Sequence, residues 1–171
     1  MIRGSQAVLD VVGTLVRLGL AAVWLTSGSI KVSDPGQTYL AVRAYDVLPG
    51  GLVHPVATAL PLLELALGLF LLVGLGTRIV AVVSAVVLLL LIVAIAQSWA
   101  RGLTIDCGCF GGGGQVAAGQ TRYPQEIARD AGFLALACWL TVRPATRFAF
   151  DGWLRSGRAE QAVEERELER T

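Results

Sequence analysis

The sequence predicts an all-α fold, a polytopic membrane bundle of four helices, and three observations predict it. The composition is 54% hydrophobic and only 16% charged, against about 25% charged residues in a soluble domain. Mean hydropathy is +0.64. The charges are also unevenly spread: they fall between long apolar runs and in the C-terminal tail, as they do when lipid replaces water as the solvent. In lipid every backbone donor and acceptor must be satisfied within the segment, which a helix achieves and an open sheet does not. Barrel strands would alternate polar and apolar residues, and these runs do not.

The first expected span covers about 8–30. At 1.5 Å per residue it reaches about 34 Å, enough for the roughly 30 Å hydrocarbon core. It is too long for a signal-peptide core of roughly 7–15 residues and is read as retained. The second span, about 55–75, opens at His54-Pro55 and closes at Gly74 and Gly76. The third, about 79–99, carries no charge from Ile79 to Ala96. The fourth, about 123–142, holds Glu126, Arg129 and Asp130 in its first turns, where they are expected at headgroup level.

The short link from Gly74 to Arg78 makes the second and third spans a hairpin. With four spans the two long connections share one face and the termini share the other. Arg3, Arg78, Arg143, Arg147, Arg155 and Arg158 lie near span ends on the terminal face, against Lys31, Arg43, Arg101 and Arg122 on the other. The positive-inside rule then puts the termini in the cytoplasm of a plasma (inner) membrane protein, and the long loops outside. Residues 1–143 are expected to form the membrane domain and 144–171 a charged cytoplasmic tail of mixed sign, a solvated segment without chemistry. The outer segment 34–49 is expected to be a short interfacial helix, either a lid on the bundle mouth or a surface that contacts a partner or covers the second long loop.

That loop, between the third and fourth spans, carries Asp106-Cys107-Gly108-Cys109-Phe110 followed by four glycines. Two thiols one glycine apart can close a tight ring, because Gly108 permits the backbone geometry a disulfide needs. Strain would make it an exchangeable couple rather than a staple, which normally closes a long loop. Cys107 and Cys109 are therefore the candidate catalytic residues, with Cys109, nearer the glycines, as entry point and Cys107 as resolving thiol. The flanking glycines would let a partner's backbone approach. Two bland readings stand beside this one: reduced structural thiols in a turn, or soft ligands for copper or zinc with His54 as a third. One His and three Cys exclude a rich zinc framework. Cys138 reads as a packing residue, with a relay thiol as the functional alternative.

Arg17 and Glu64 fall near the middle of the first two spans, and intramembrane charges usually face the bundle and pair. An Arg17–Glu64 ion pair is expected, either a register lock between helices or the polar floor of a quinone or proton site. Net charge is +1, so no basic field points to nucleic acid.

Arg17 with Gly19, Ser27-Gly28-Ser29-Ile30-Lys31, Tyr45-Asp46-Val47-Leu48-Pro49, Glu64 with Gly68, Gly74, Arg78 and the Asp106–Gly111 cysteine loop together resemble the methylamine-utilisation protein MauE family, within the wider DoxX-like membrane proteins. The resemblance runs from about residue 8 to 142. It implies a four-helix inner-membrane protein of redox maturation, acting with a thioredoxin-like partner on exported disulfide-containing proteins. It departs from quinone-coupled disulfide-generating proteins in lacking a Cys-x-x-Cys motif and a second outer cysteine pair. The competing classes are a non-enzymatic membrane scaffold or assembly factor, and a transporter of small solutes or metals.

Overall fold

The computed structural model describes residues 2–117 and 119–144, with side chains from residue 6 onward. The charged tail expected beyond residue 144 lies outside the described residues. Five helices and one small hairpin are described: α1 Ile2–Ser33, α2 Pro35–Ala44, α3 Gly50–Val73, α4 Thr77–Ala100, β1 Ile105–Asp106, β2 Gly114–Gln115 and α5 Tyr123–Val142.

Each boundary has a local cause. Asp34 caps α2, its carboxylate accepting from Gln37 N at 2.9 Å, and Pro35 supplies a preset φ at the first helical position. α3 starts at Gly50, five residues before Pro55, rather than at the His54-Pro55 pair. Pro55 and Pro61 both lie inside it. A proline there removes a backbone donor, which membrane helices tolerate where neighbouring helices satisfy the freed groups. Gly74 ends α3 in the left-handed region at φ 75°, and its N–H and that of Leu75 both bond Phe70 O.

α1, α3 and α4 are long and apolar enough to cross a membrane. α5 carries Glu126, Arg129 and Asp130 in its first turns and does not meet that measure alone, so three of the four expected spans stand on length and composition. α1 packs chiefly on α3 and α4 chiefly on α5. Leu20, Trp24, Leu67, Leu71, Leu88 and Leu140 fill the core, where Trp24 Nε1 donates to Ser84 Oγ at 3.0 Å. Leu15, Leu62, Leu69, Ile79, Leu90 and Val93 face outward. So many exposed large apolar side chains around helices of this length suit a lipid surface and not water. This is a multi-pass membrane protein.

Small residues set the α1–α3 spacing. A Cβ on Gly68 would lie 2.7 Å from Leu25 Cγ, and one on Gly28 would lie 2.9 Å from Leu65 Cγ. Close backbone approach of this kind drives helix association in lipid, where no hydrophobic effect separates helix from tail. Gly68→Leu is expected to wedge α1 from α3 and destabilise the fold by about 1–3 kcal/mol. A drop in the melting temperature of the detergent-solubilised protein would register it, and an unchanged melting temperature would refute the close packing.

At the end of the molecule opposite the Gly74–Gly76 turn, a second cluster gathers Tyr45, Ile95, Ile105, Cys107, Cys109 and Tyr123. The β1–β2 ladder pairs Ile105 with Gln115 and Asp106 with Gly114, so the cysteine segment is the hairpin's tip. Tyr123 Oη donates to Leu103 O at 2.6 Å and accepts from Ile105 N at 3.2 Å, fastening the hairpin to α5.

Candidate functional site

The cysteine loop folds inward. Gly108, at φ 69°, and Gly113, at φ 95°, occupy backbone space few other residues enter, and they lie against each other and under α2. A Cβ on Gly113 would meet Ala41 Cβ at 2.7 Å and Gly108 Cα at 2.9 Å. Gln37 Nε2 donates to Gly113 O at 2.6 Å, sealing α2 onto the loop. From below, Ser27 Oγ donates to Cys109 O at 2.7 Å, and Tyr45 Oη donates to Cys107 O at 3.2 Å. The expectation that the flanking glycines leave room for a partner's backbone is corrected by these contacts. Cys107 is 8% and Cys109 6% exposed, and the glycines admit α2 rather than leaving the backbone bare. Both sulfurs are free thiols lining a cavity of about 170 Å³ between α2 and the bundle, with Lys31, Gln37 and Tyr45.

The two thiols are unequal. The neighbouring Cys109 thiol, able to donate to a Cys107 thiolate, is the largest influence drawing Cys107 down from an ordinary thiol value to about 6. Burial opposes it; the Cys109 N–H and the Arg129 guanidinium reinforce it. Cys109 is held well above an ordinary thiol, first by that same hydrogen bond, then by burial and by the nearby negative charge of Cys107. One sulfur is thus poised as a thiolate and the other keeps the proton.

Arg129 is fixed over this pair. Its Nη2 lies 3.6 Å from Cys107 Sγ, its Nε donates to Asp130 Oδ1 at 2.9 Å, and its Cζ stands 4.9 Å from the centre of the Phe110 ring. Cation–π contact and a charge-assisted bond hold the guanidinium where it faces sulfur. Asp106, Cys107 and Glu126 also offer ligand atoms within 4.8 Å of one another. The guanidinium against Cys107 already supplies positive charge there and repels a second cation.

On the other flank a buried polar chain runs under Cys109. Lys31 Nζ is ion-paired with Glu64 and donates to Ser27 Oγ at 3.0 Å, and Ser27 Oγ reaches Glu64 Oε2 at 3.0 Å as well as Cys109 O. This corrects the expected Arg17–Glu64 pair. Glu64 is fully buried with Lys31. Arg17 instead donates to Leu71 O at 2.7 Å and Leu72 O at 3.1 Å, binding the carbonyls at the end of α3. Seven residues along α3 separate Leu71 from Glu64, about 10 Å. Arg17 and Glu64 thus hold different partners at different depths of the bundle.

His54 is exposed, its ring 6.4 Å from that of Tyr39, and it does not join the cysteines. Cys138 is exposed on the outer face of α5, neither packed in the core nor placed below the pair as a relay. The sequence reading missed Ser27, Lys31, Tyr45, Arg129 and Asp130 as site residues. A signal was available: Ser27 and Lys31 are four apart, and Glu126, Arg129, Asp130 and Phe133 recur at helical spacing on one face.

The family model described as "Methylamine utilisation protein MauE" matches residues 9–143. The "Methylamine utilization protein MauE" of Methylophilus methylotrophus is 37% identical over 99 residues, covering 57% of this chain and 52% of that protein. That of Paracoccus denitrificans is 35% identical over 99 residues, covering 57% and 53%. That of Methylorubrum extorquens is 34% identical over 136 residues, covering 79% and 73%. The chain thus spans about half the length of the first two relatives. No solved structure matches. With most of its length matched by one family model, the chain belongs to the methylamine utilisation protein MauE family.

Proposed function

We propose that this chain is a membrane thiol–disulfide exchange component of methylamine utilisation, trading a disulfide with an extracytoplasmic thioredoxin-like protein that serves exported disulfide-containing proteins. The observation that carries the reading is the unequal placement of the pair: Cys107 Sγ faces the Arg129 guanidinium at 3.6 Å, which favours its thiolate, while Cys109 is buried beside it, which favours its thiol. A structural thiol pair needs no such division, whereas exchange needs one attacking thiolate and one resolving thiol. This reverses the roles expected from the glycines, making Cys107 the entry point.

In this reading α5 crosses the bilayer with α1, α3 and α4 in a plasma (inner) membrane, completing four spans with cytoplasmic termini and an outward cysteine loop. Glu126, Arg129 and Asp130 tolerate the position because they face the loop and bundle. The partner's sulfur reaches Cys107 through the cavity beside α2. Cys107 thiolate attacks the partner's disulfide, forming a mixed disulfide and releasing one partner thiolate. Cys109 then displaces the second, leaving Cys107–Cys109 oxidised and the partner reduced; the reverse direction uses the same atoms.

The test takes the purified protein, with Cys138→Ser as background, and a purified thioredoxin in its disulfide form. Cys109→Ser is expected to accumulate a mixed disulfide visible on a non-reducing gel, and Cys107→Ser to form none. Equal trapping by both variants, or by neither, would refute the exchange reading.

A further inference from the structure

Beneath the cysteine pair lies a second, small pocket of about 20 Å³, lined by residues of α1, α3, α4 and α5. Cys109, Ser27, Glu64 and Asp130 contribute its polar lining, and Trp24 and Phe133 part of its apolar wall. Asp130 is 2% exposed, and its Oδ2 has no hydrogen-bond partner among the described residues, while its Oδ1 accepts from Arg129. A buried carboxylate oxygen left without a donor costs free energy and calls for an explanation. Glu64, by contrast, is committed to Lys31 and Ser27. About 10–15 Å³ suffices for one water, provided two or more polar groups hold it. This cavity meets both conditions.

We infer that Asp130 is the proton-relay residue of Cys109, receiving its proton through a single water in this cavity when the mixed disulfide is resolved. The inference rests on the exchange reading above and assigns a step within it. While Cys107 is a thiolate, the Cys109 proton is held by hydrogen bonding to it. Once Cys107 is bonded to the partner, that acceptor is gone and the negative charge has left. The Cys109 S–H bond then breaks, its proton passing to water and water's to Asp130 Oδ2. The freed electron pair on Cys109 attacks Cys107 sulfur, the Cys107–partner bond breaks, and the partner leaves as a thiolate. Two sulfurs here are oxidised and two on the partner are reduced, and Asp130 returns the proton to solvent. The groups facing Cys109 in this step are Lys31 from α1, Glu64 from α3, Tyr45 at the end of α2, Cys107 in the loop, and Glu126, Arg129 and Asp130 from α5.

Dithiobis(nitrobenzoate) separates the steps in the Cys138→Ser protein. Its first thiolate is released when Cys107 attacks, and its second when Cys109 closes the ring. Asp130→Asn keeps the shape and an oxygen for Arg129. It is expected to slow the second phase about tenfold or more and to shift that phase's pH profile, with the first phase within about twofold. Asp130→Glu is expected to restore part of the rate, and the wild-type second phase is expected to show a solvent deuterium effect that Asp130→Asn lacks. A second phase unchanged in rate, pH profile and isotope effect overturns the relay and leaves the exchange reading standing. A first phase that survives Cys107→Ser overturns the exchange reading itself. If Asp130→Asn does not fold, the isotope effect in the wild type and Asp130→Glu decide: no effect, with no change in Asp130→Glu, overturns the relay.

Discussion

Alkylation of Cys107 is expected to titrate with a midpoint near pH 6, and Cys109→Ala and Arg129→Gln are expected to move that midpoint upward, Cys109→Ala the further of the two. The order follows from the contacts. The Cys109 thiol and its N–H act directly on the Cys107 sulfur, the thiol most strongly, while Arg129 adds one guanidinium bond at 3.6 Å and its charge. Removing the thiol deletes the largest effect. Because Cys107 is shifted down, the reactive thiolate is present above pH 6 and lost as pH falls through it. Only the thiolate reacts, but its nucleophilicity rises with basicity, with a Brønsted slope of about 0.4–0.5. Below the midpoint each pH unit of upward movement therefore costs about tenfold in thiolate and regains about threefold in nucleophilicity, a net loss of about threefold. Above both midpoints the variants react about threefold faster per unit. The iodoacetamide rate profiles of wild type and variants, all in the Cys138→Ser background, should cross between pH 6 and 9. A wild-type midpoint near that of a free thiol, or profiles that do not cross, would show that Cys107 is not a stabilised thiolate.

The apolar skeleton was legible because lipid imposes it. A run such as Ile79–Ala96 has few other homes, and α4, Thr77–Ala100, covers the expected third span. The start of α3 was less so: His54-Pro55 looked like a beginning, but Gly50–His54 had already entered the helix, and a bundle can absorb one missing donor. The cysteines stood out by spacing. What surrounds them did not, because it comes from four segments remote in sequence: Ser27, Tyr45, Glu64 and Arg129. The glycines misled in an instructive way. Access and packing both require a missing Cβ, and only the position of Ala41 decides between them. Arg17 and Glu64 were paired by depth alone. Lys31 was counted as a span-end charge, yet its four-carbon stem lets an ammonium sit well away from its own backbone, and here it reaches Glu64 inside the bundle.

That pair carries the largest expected stability effect. Glu64 is fully buried and Lys31 nearly so, and Ser27 ties both to the carbonyl of Cys109. Removing one partner strands a charge in a medium that cannot solvate it, which costs about 3–5 kcal/mol. Lys31→Met is therefore expected to destabilise the protein severely, since Glu64 then keeps only the Ser27 hydroxyl. Glu64→Leu is expected to be milder, because Lys31 lies at the end of α1 and its flexible stem can swing the ammonium toward water. Replacing both with apolar residues removes the desolvation cost together with the attraction, and such exchanges are often neutral or stabilising. The double variant Lys31→Met, Glu64→Leu is accordingly expected to recover most of the loss, giving a coupling of opposite sign to the single effects. Thermal unfolding in detergent across the four proteins measures the cycle. The same cycle read by Cys107 alkylation reports on function. If the pair merely locks α1 to α3, the double variant should alkylate at the wild-type rate. If it also holds the loop through Ser27, the double variant should be stable yet alkylate faster, its cysteine loop freed from below. Additive losses, with no recovery in the double variant, would mean that Lys31 and Glu64 do not depend on each other in the folded protein.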